Sequence, residues 1–123
     1  MIAQKNRLKK ADFERIFRNG NKSYNQDCNI RYIANKLDYC RFAVIVSNKI
    51  SNKSTIRNKI RRRIKAVLQS NLSNFSQNID LVITVLPGMA KVDFVKNRDI
   101  LLNLLKKSNL LLWIFGITPA ILP

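Results

Sequence analysis

The chain has no histidine, and of its 123 residues only seven are acidic and two are cysteine. Each scarcity closes off a class of chemistry. Without imidazole the commonest general acid–base group is missing. The few carboxylates stand singly or, like Asp12 and Glu14, at a spacing that splits them between the faces of a helix. A metal-assisted phosphodiesterase wants clustered carboxylates, so no catalytic and no metal-ligating residue is assigned to this protein. The two thiols, Cys28 and Cys40, have neither histidine nor further thiols to complete a metal site. They read as a reduced, structural pair. Both fall in strands of one predicted hairpin turning at residues 35–38, a register that sets Cys28 opposite about Ile45 and Cys40 opposite about Ile33, out of bonding reach. No internal repeat or low-complexity tract is present. The first ten residues hold no apolar core of signal-peptide length, so a cytoplasmic protein is expected.

Positive charge is what the chain has in excess. Twenty-three Lys and Arg against seven Asp and Glu give a net charge of +16, and the pI is about 10.6. No acid falls between Asp38 and Asp80, whereas nine Lys or Arg do, and seven more lie in the first 22 residues. Charge at this density repels itself unless an anion neutralises it, which favours a nucleic-acid partner over a merely solvated basic face. Hydrophobic residues nevertheless make up 46%. That is enough, at this length, for one domain with a single core.

The charge is most ordered from Lys53 to Lys65. Ile56, Ile60, Ile64, Val67 and Leu68 recur at helical intervals and, at about 100° per residue, share an arc roughly 80° wide. Arg57, Arg61 and Lys65 follow at i+4 along one edge of that arc, with Asn58 and Arg62 in the next row. The apolar arc can dock on a sheet while the two rows face a polyanion. Ser54 or Thr55 is the expected cap, and the helix is expected to run to about Leu72. Elsewhere, residues 11–18 predict a short helix with Phe13, Ile16 and Phe17 on one face, stopped by Asn19-Gly20-Asn21. Residues 23–34 read as one strand, with Cys28, Ile30 and Tyr32 on one face and Asn29, Arg31 and Ile33 on the other. A second strand spans residues 41–47, apolar enough to be central, and a third, buried one spans residues 79–86 before Pro87-Gly88. Residues 93–107 predict a final amphipathic helix with Phe94, Leu101, Leu104 and Leu105 toward the core. Helix, strands, helix, strand, helix is the order of an α+β or α/β sandwich.

Three blocks of this chain resemble the protein subunit of bacterial ribonuclease P. They are Asn6-Arg-Leu-Lys-Lys10 with Asp12-Phe13 and Ile16-Phe17-Arg-Asn-Gly20; Ala43-Val-Ile-Val-Ser-Asn-Lys-Ile50; and Arg57-Asn-Lys-Ile-Arg-Arg62 with Ile64-Lys65, which is similar to that family's Arg-Asn-Arg signature. Each block alone is weak; all three in order and spacing are specific. The resemblance covers about residues 5–107, taken as the ribonuclease P protein domain (1–107), with an apolar extension at 108–123. It implies a two-layer sandwich like the second domain of ribosomal protein S5, with about four strands and a left-handed βαβ crossover around the basic helix. It also implies that a large RNA is the catalyst. The protein would assist that endoribonuclease as an accessory subunit, binding the catalytic RNA and the precursor tRNA during removal of the 5′ leader. Mg²⁺ would be held mainly by the RNA subunit and the substrate, and no small-molecule substrate is expected.

Carried over by position, Arg57, Asn58, Arg61, Arg62 and Lys65 take the places of the signature-helix residues, and Lys53 and Lys59 add longer-range attraction. Arg63 lies beside the apolar arc, where its stem can cover the core edge. Phe13 and Phe17 correspond to aromatics at the wall of a leader cleft, with Arg31 beside them. The alternative is that both rings simply hold the first helix to the sheet. The chain departs from the family pattern at Asn29 and Arg31, where an apolar residue and a tyrosine are usual. Tyr32 or Tyr24 could substitute only through a shifted register. The loop before the signature is one residue longer than in some relatives, and Ser51 replaces a common glycine.

Residues 110–123 are strongly apolar but at 14 residues fall short of the ~20 that span a bilayer, and Pro119 and Pro123 break any helix there. Packing on the domain, a membrane-surface or partner contact, and a poorly ordered extension are all open, with packing favoured. Other functions fit the sequence less well. A structural-RNA chaperone could share the basic helix. A DNA regulator would want a second short helix at turn distance and base-reading amides. A stand-alone nuclease lacks its acid and base.

Overall fold

All but Thr84 of the seven residues from Ile79 to Val85 are buried, so this segment is a strand covered on both faces. In the computed structural model, which describes residues 4–91 and 93–111, that strand is interior to a four-stranded sheet. The elements in chain order are helix α1 (Lys10–Asn19), strands β1 (Asn21–Tyr24), β2 (Cys28–Ala34) and β3 (Arg41–Ile45), helix α2 (Ser54–Ser70), strand β4 (Ile79–Val85) and helix α3 (Phe94–Lys107). The sheet order is β1-β2-β4-β3, antiparallel except for the parallel pair β3–β4 that flanks α2. The architecture is α+β with a mixed sheet, as expected.

Alternation sorts the side chains into two layers. On one face Cys28 and Ile30, Phe42, and Ile79, Leu81, Ile83 and Val85 pack against Ile60, Ile64, Val67 and Leu68 of α2 and Leu101, Leu104 and Leu105 of α3. The other face, with Arg31, Val82, Asp80 and Arg41, is crossed by α1, whose Ile16 is fully buried. Gly20 ends α1 where a side chain has no room. Its N–H bonds the Ile16 carbonyl at 2.9 Å, and a Cβ would collide with that carbonyl oxygen and lie 2.9 Å from the Tyr32 oxygen.

Several expectations are corrected. Residues 23–34 are two strands, because Asn25 folds the chain back: its side-chain oxygen accepts from the N–H groups of Asp27 (2.8 Å) and Cys28 (2.9 Å). The hairpin between β2 and β3 does not form. β4 inserts between them, so Cys28 lies opposite Val85, and β3 is an edge strand, not a central one. Both cysteines are free and buried, as expected, and burial pushes the Cys28 thiol up to about 12. No side chain caps α2. Lys53 precedes it, Ser51 Oγ accepts from the Lys53 N–H instead, and the helix ends at Ser70. Ile56 and Phe94, at the outer ends of their apolar stripes, are 38% exposed. Asp93 does cap α3, accepting from the Lys96 N–H at 2.9 Å. Leu110 and Leu111 are buried in the core, and Leu111 bridges Phe75; the rest of the expected tail, 112–123, lies outside the described residues.

Candidate nucleic-acid interface

Helix α2 is fixed by the stripe of Ile60, Ile64, Val67 and Leu68, each under 5% exposed, so its cations are held in a set orientation. Lys53, Asn58, Lys59 and Arg62 are exposed, while Arg57, Arg61 and Lys65 lie half-buried along the edge of the stripe. Arg57 Nη1 donates to the Ser51 carbonyl at 2.9 Å, tying the preceding loop to the helix. Arg61 Nη1 donates to Asn58 Oδ1 at 2.7 Å, which aligns the two rows. Asn58, Arg61, Arg62 and Lys65 line one groove of about 440 Å³ together with Thr55. Among the described residues no carboxylate pairs with any cation of α2. Lys65 is held below the usual lysine range, first by burial and then by the nearby charges of Arg7 and Arg61. A row of fixed, unneutralised cations in a groove is built for a polyanion. Arg63 points elsewhere, with Nη1 3.5 Å from Asn97 Oδ1 of α3, in keeping with a stem that covers the core edge.

A second constellation forms where α1 crosses the sheet. The Phe13 and Phe17 rings meet edge to face at 6.4 Å, and the Arg31 guanidinium sits 5.0 Å from the Phe17 ring centroid while donating to the Phe17 carbonyl at 3.0 Å. Phe17 is 40% exposed and Phe13 half-buried, so both rings meet solvent in part, while Phe17 is tied to β2 through Arg31. Beside them Lys22, Tyr24, Asn29 and Arg31 line a hollow of about 290 Å³. The pairing Lys22↔Arg31 and Tyr24↔Asn29 puts all four on one face. Tyr32 is turned to the opposite, core face, so it cannot serve here. Tyr24, 67% exposed, is the tyrosine on this side.

Sequence reasoning missed what fixes this face. Asp80 is fully buried beneath α1, and its carboxylate accepts from Arg15, from Arg41 Nε (2.9 Å) and Nη2 (2.7 Å), and from Asn35 Nδ2 (2.9 Å). Arg41 also reaches Asp12 on α1 at 3.4 Å. Burial would raise the Asp80 pKa, but the hydrogen bonds from Arg41, Asn35 and Arg15 outweigh it and hold the carboxyl below its ordinary range. The signal was an acid in an otherwise apolar strand, which demanded buried partners.

The element before α2 in the chain is a strand, so no helix-turn-helix is formed. A family model described as Ribonuclease P matches residues 2–109. The chain belongs to the ribonuclease P protein family. A ribonuclease P protein component from a Pseudanabaena strain is 26% identical over 113 residues, covering 90% of this chain and 97% of that protein. Among solved structures, a Staphylococcus aureus ribonuclease P protein, a mutant with defective mRNA degradation activity, superposes with a TM-score of 0.82 at 26% identity, covering 87% of this chain and 91% of that one. The ribonuclease P protein from Thermotoga maritima gives 0.76 at 31% identity, covering 82% and 96%. The protein is thus a ribonuclease P protein component, a ribonucleoprotein part in tRNA processing, and an RNA partner is implied. No helix among the described residues is long and apolar enough to cross a membrane.

Proposed function

We propose that this ribonuclease P component grips the catalytic RNA with α2 and guides the 5′ leader of precursor tRNA over the α1–β2 face, while the RNA performs the cleavage. The observation that carries the reading is the cation row of α2, unpaired with carboxylates among the described residues and fixed by its apolar stripe. Arg57, Asn58, Arg61, Arg62 and Lys65 contact RNA phosphates, and Lys53 and Lys59 add longer-range attraction. Phe13, Phe17 and Arg31 form the leader wall, where a single strand stacks on an aromatic face and follows cations without sequence preference. With Asn29 and Arg31 replacing more usual cleft residues, charge outweighs stacking in this groove. The cellular site of this assembly is the cytoplasm.

Hydrolysis of a phosphodiester in this system calls for Mg²⁺, and the donor set of the protein does not suit it. Among the described residues no three His, Cys, Asp or Glu side chains gather, and the Asp12 and Asp80 carboxylates are engaged by arginines. We infer that Mg²⁺ is held mainly by the RNA subunit and the substrate, a reading that the engagement of Asp12 and Asp80 by arginines supports. In a reconstituted assay the protein alone leaves precursor tRNA intact. Added to a ribonuclease P RNA, it lowers the Mg²⁺ concentration needed for 5′ cleavage. Cleavage by the protein that survives removal of all RNA, or no effect of the protein on the Mg²⁺ requirement, overturns the reading.

A further inference from the structure

A second set of cations lies outside α2, on the chain's own N-terminal segment. After a single turn of 3-10 helix (Gln4–Asn6), Arg7 pairs in parallel with Phe42 at the edge of β3, and the Leu8 N–H bonds the Phe42 carbonyl at 2.9 Å. Asn6, buried, anchors the turn by donating to the Cys40 carbonyl at 2.6 Å. The segment is thus stitched to the free side of an edge strand, and Lys5, Arg7 and Lys9 are all exposed on it. They share a hollow of about 400 Å³ with Tyr39 and Arg41. Lys5 Nζ stands 5.2 Å from the Tyr39 ring centroid, which positions its charge.

The charge balance here differs from that under α1. Arg41 is spent on Asp80 and Asp12, whereas none of Lys5, Arg7 and Lys9 is in an ion pair among the described residues. Arg7 bridges Phe42, which shares the core cluster with Ile60 and Ile64 of α2, so the segment and the helix adjoin the same strand, and the charges of Arg7 and Arg61 both act on Lys65. Arg7, Arg61 and Lys65, like charges from two elements, converge without an ion pair to a carboxylate among the described residues; Asp12, at the Lys9 end of the hollow, accepts from the Lys9 N–H at 3.2 Å and is engaged by Arg41. The arrangement is unfavourable in the free protein and favourable around an anion. Asp38, at the rim of the adjoining hollow with Lys5 and Asn6, repels phosphate and so sets the path on the Arg7 side.

We propose that Lys5, Arg7 and Lys9 form a second phosphate-binding surface, continuous through Arg7 with the Arg61–Lys65 row, along which the sugar–phosphate backbone of the bound RNA passes from α2 onto the β3 edge. The inference rests on the reading of α2 as the RNA-gripping helix. It adds an element that lies outside the signature.

The test is the salt dependence of binding, full-length protein to a ribonuclease P RNA, for Arg7→Gln, Lys9→Gln and their double variant beside Arg61→Gln with Arg62→Gln. Each lost phosphate contact reduces the slope of log K against log salt by about 0.7–0.9. The N-terminal double variant is expected to lose between one and two such steps, and Arg7→Lys to keep the wild-type slope. Arg7→Gln and Lys65→Gln combined should lose less than the product of their separate effects, because they share one anion. Arg7 and Lys9 are exposed and removing either charge relieves repulsion, so thermal unfolding of the free variants stays at or above the wild-type midpoint. Wild-type slopes for the N-terminal variants, with reduced slopes for the α2 pair, overturn this inference and leave the α2 reading intact. Unchanged slopes in both sets overturn both.

Discussion

Asp80 shows how much one side chain can decide. It is the acid in a strand otherwise apolar, and it holds Arg41 from the neighbouring strand and Arg15 from the helix above. Removing its charge leaves Arg41 and Arg15 only the more distant Asp12 carboxylate, at 3.4 and 3.9 Å. Asp80→Asn is expected to cost about 3 kcal/mol in urea unfolding at neutral pH. The pH dependence follows from the direction of the shift. A carboxyl held below its unfolded value contributes fully above about pH 4 and loses that contribution as pH falls through its folded value. The wild type should therefore weaken on the acid side more steeply than Asp80→Asn, and parallel acid limbs would contradict the role assigned to it. Phe17 belongs to the same layer and bears on function. Phe17→Ala should weaken binding of leader-bearing precursor by about tenfold, or 1–2 kcal/mol, and leave mature tRNA unaffected; equal losses on both would make the ring purely structural. At this scale the sequence marked Phe13, Phe17 and Arg31 as a group, and the structure brings them together. It left open which tyrosine shares their face, because that depends on the turn at Asn25, where a single amide oxygen reverses the chain.

Helices were far more legible than strand pairing, and the reason is range. Helix α2 is a local object: its stripe of Ile60, Ile64, Val67 and Leu68 and its cation rows follow from spacing alone. The misjudged positions, Ile56 and Phe94, lie near helix ends, where the stripe continues but the sheet beneath it does not. Strand order is a non-local choice. Residues 28–34 and 41–45 looked like hairpin partners because they are neighbours in sequence, but β4, buried on both faces, takes the interior place between them. The stripe of α2 is what converts a charged segment into a fixed one. Ile64→Ala, at a position 1% exposed, should lower stability by about 3 kcal/mol. Under conditions where that variant remains folded, its RNA affinity should stay near wild type, since no cation is touched. A stability loss well under 1 kcal/mol would show that α2 is not anchored where the packing places it.

For the molecule as a whole, a charge of +16 on 123 residues is coherent only if much of it faces an anion. The few carboxylates are unevenly deployed: Asp12 and Asp80 neutralise Arg15 and Arg41 beneath α1, while the rows of α2 and the N-terminal edge go unmatched among the described residues. Total charge was readable from composition, but which cations are spent inside the protein emerged only from the fold, as with Arg41. The central claim is that Arg61 and Arg62 of α2, in no ion pair among the described residues, are covered by RNA in the assembly. Arginine-specific dicarbonyl modification, read by mass spectrometry with and without a ribonuclease P RNA, addresses it residue by residue. Arg61 and Arg62 should react readily in the free protein and be protected on RNA binding, with Arg41 unreactive in both states. Equal modification of Arg61 and Arg62 in the presence and absence of bound RNA would contradict the account.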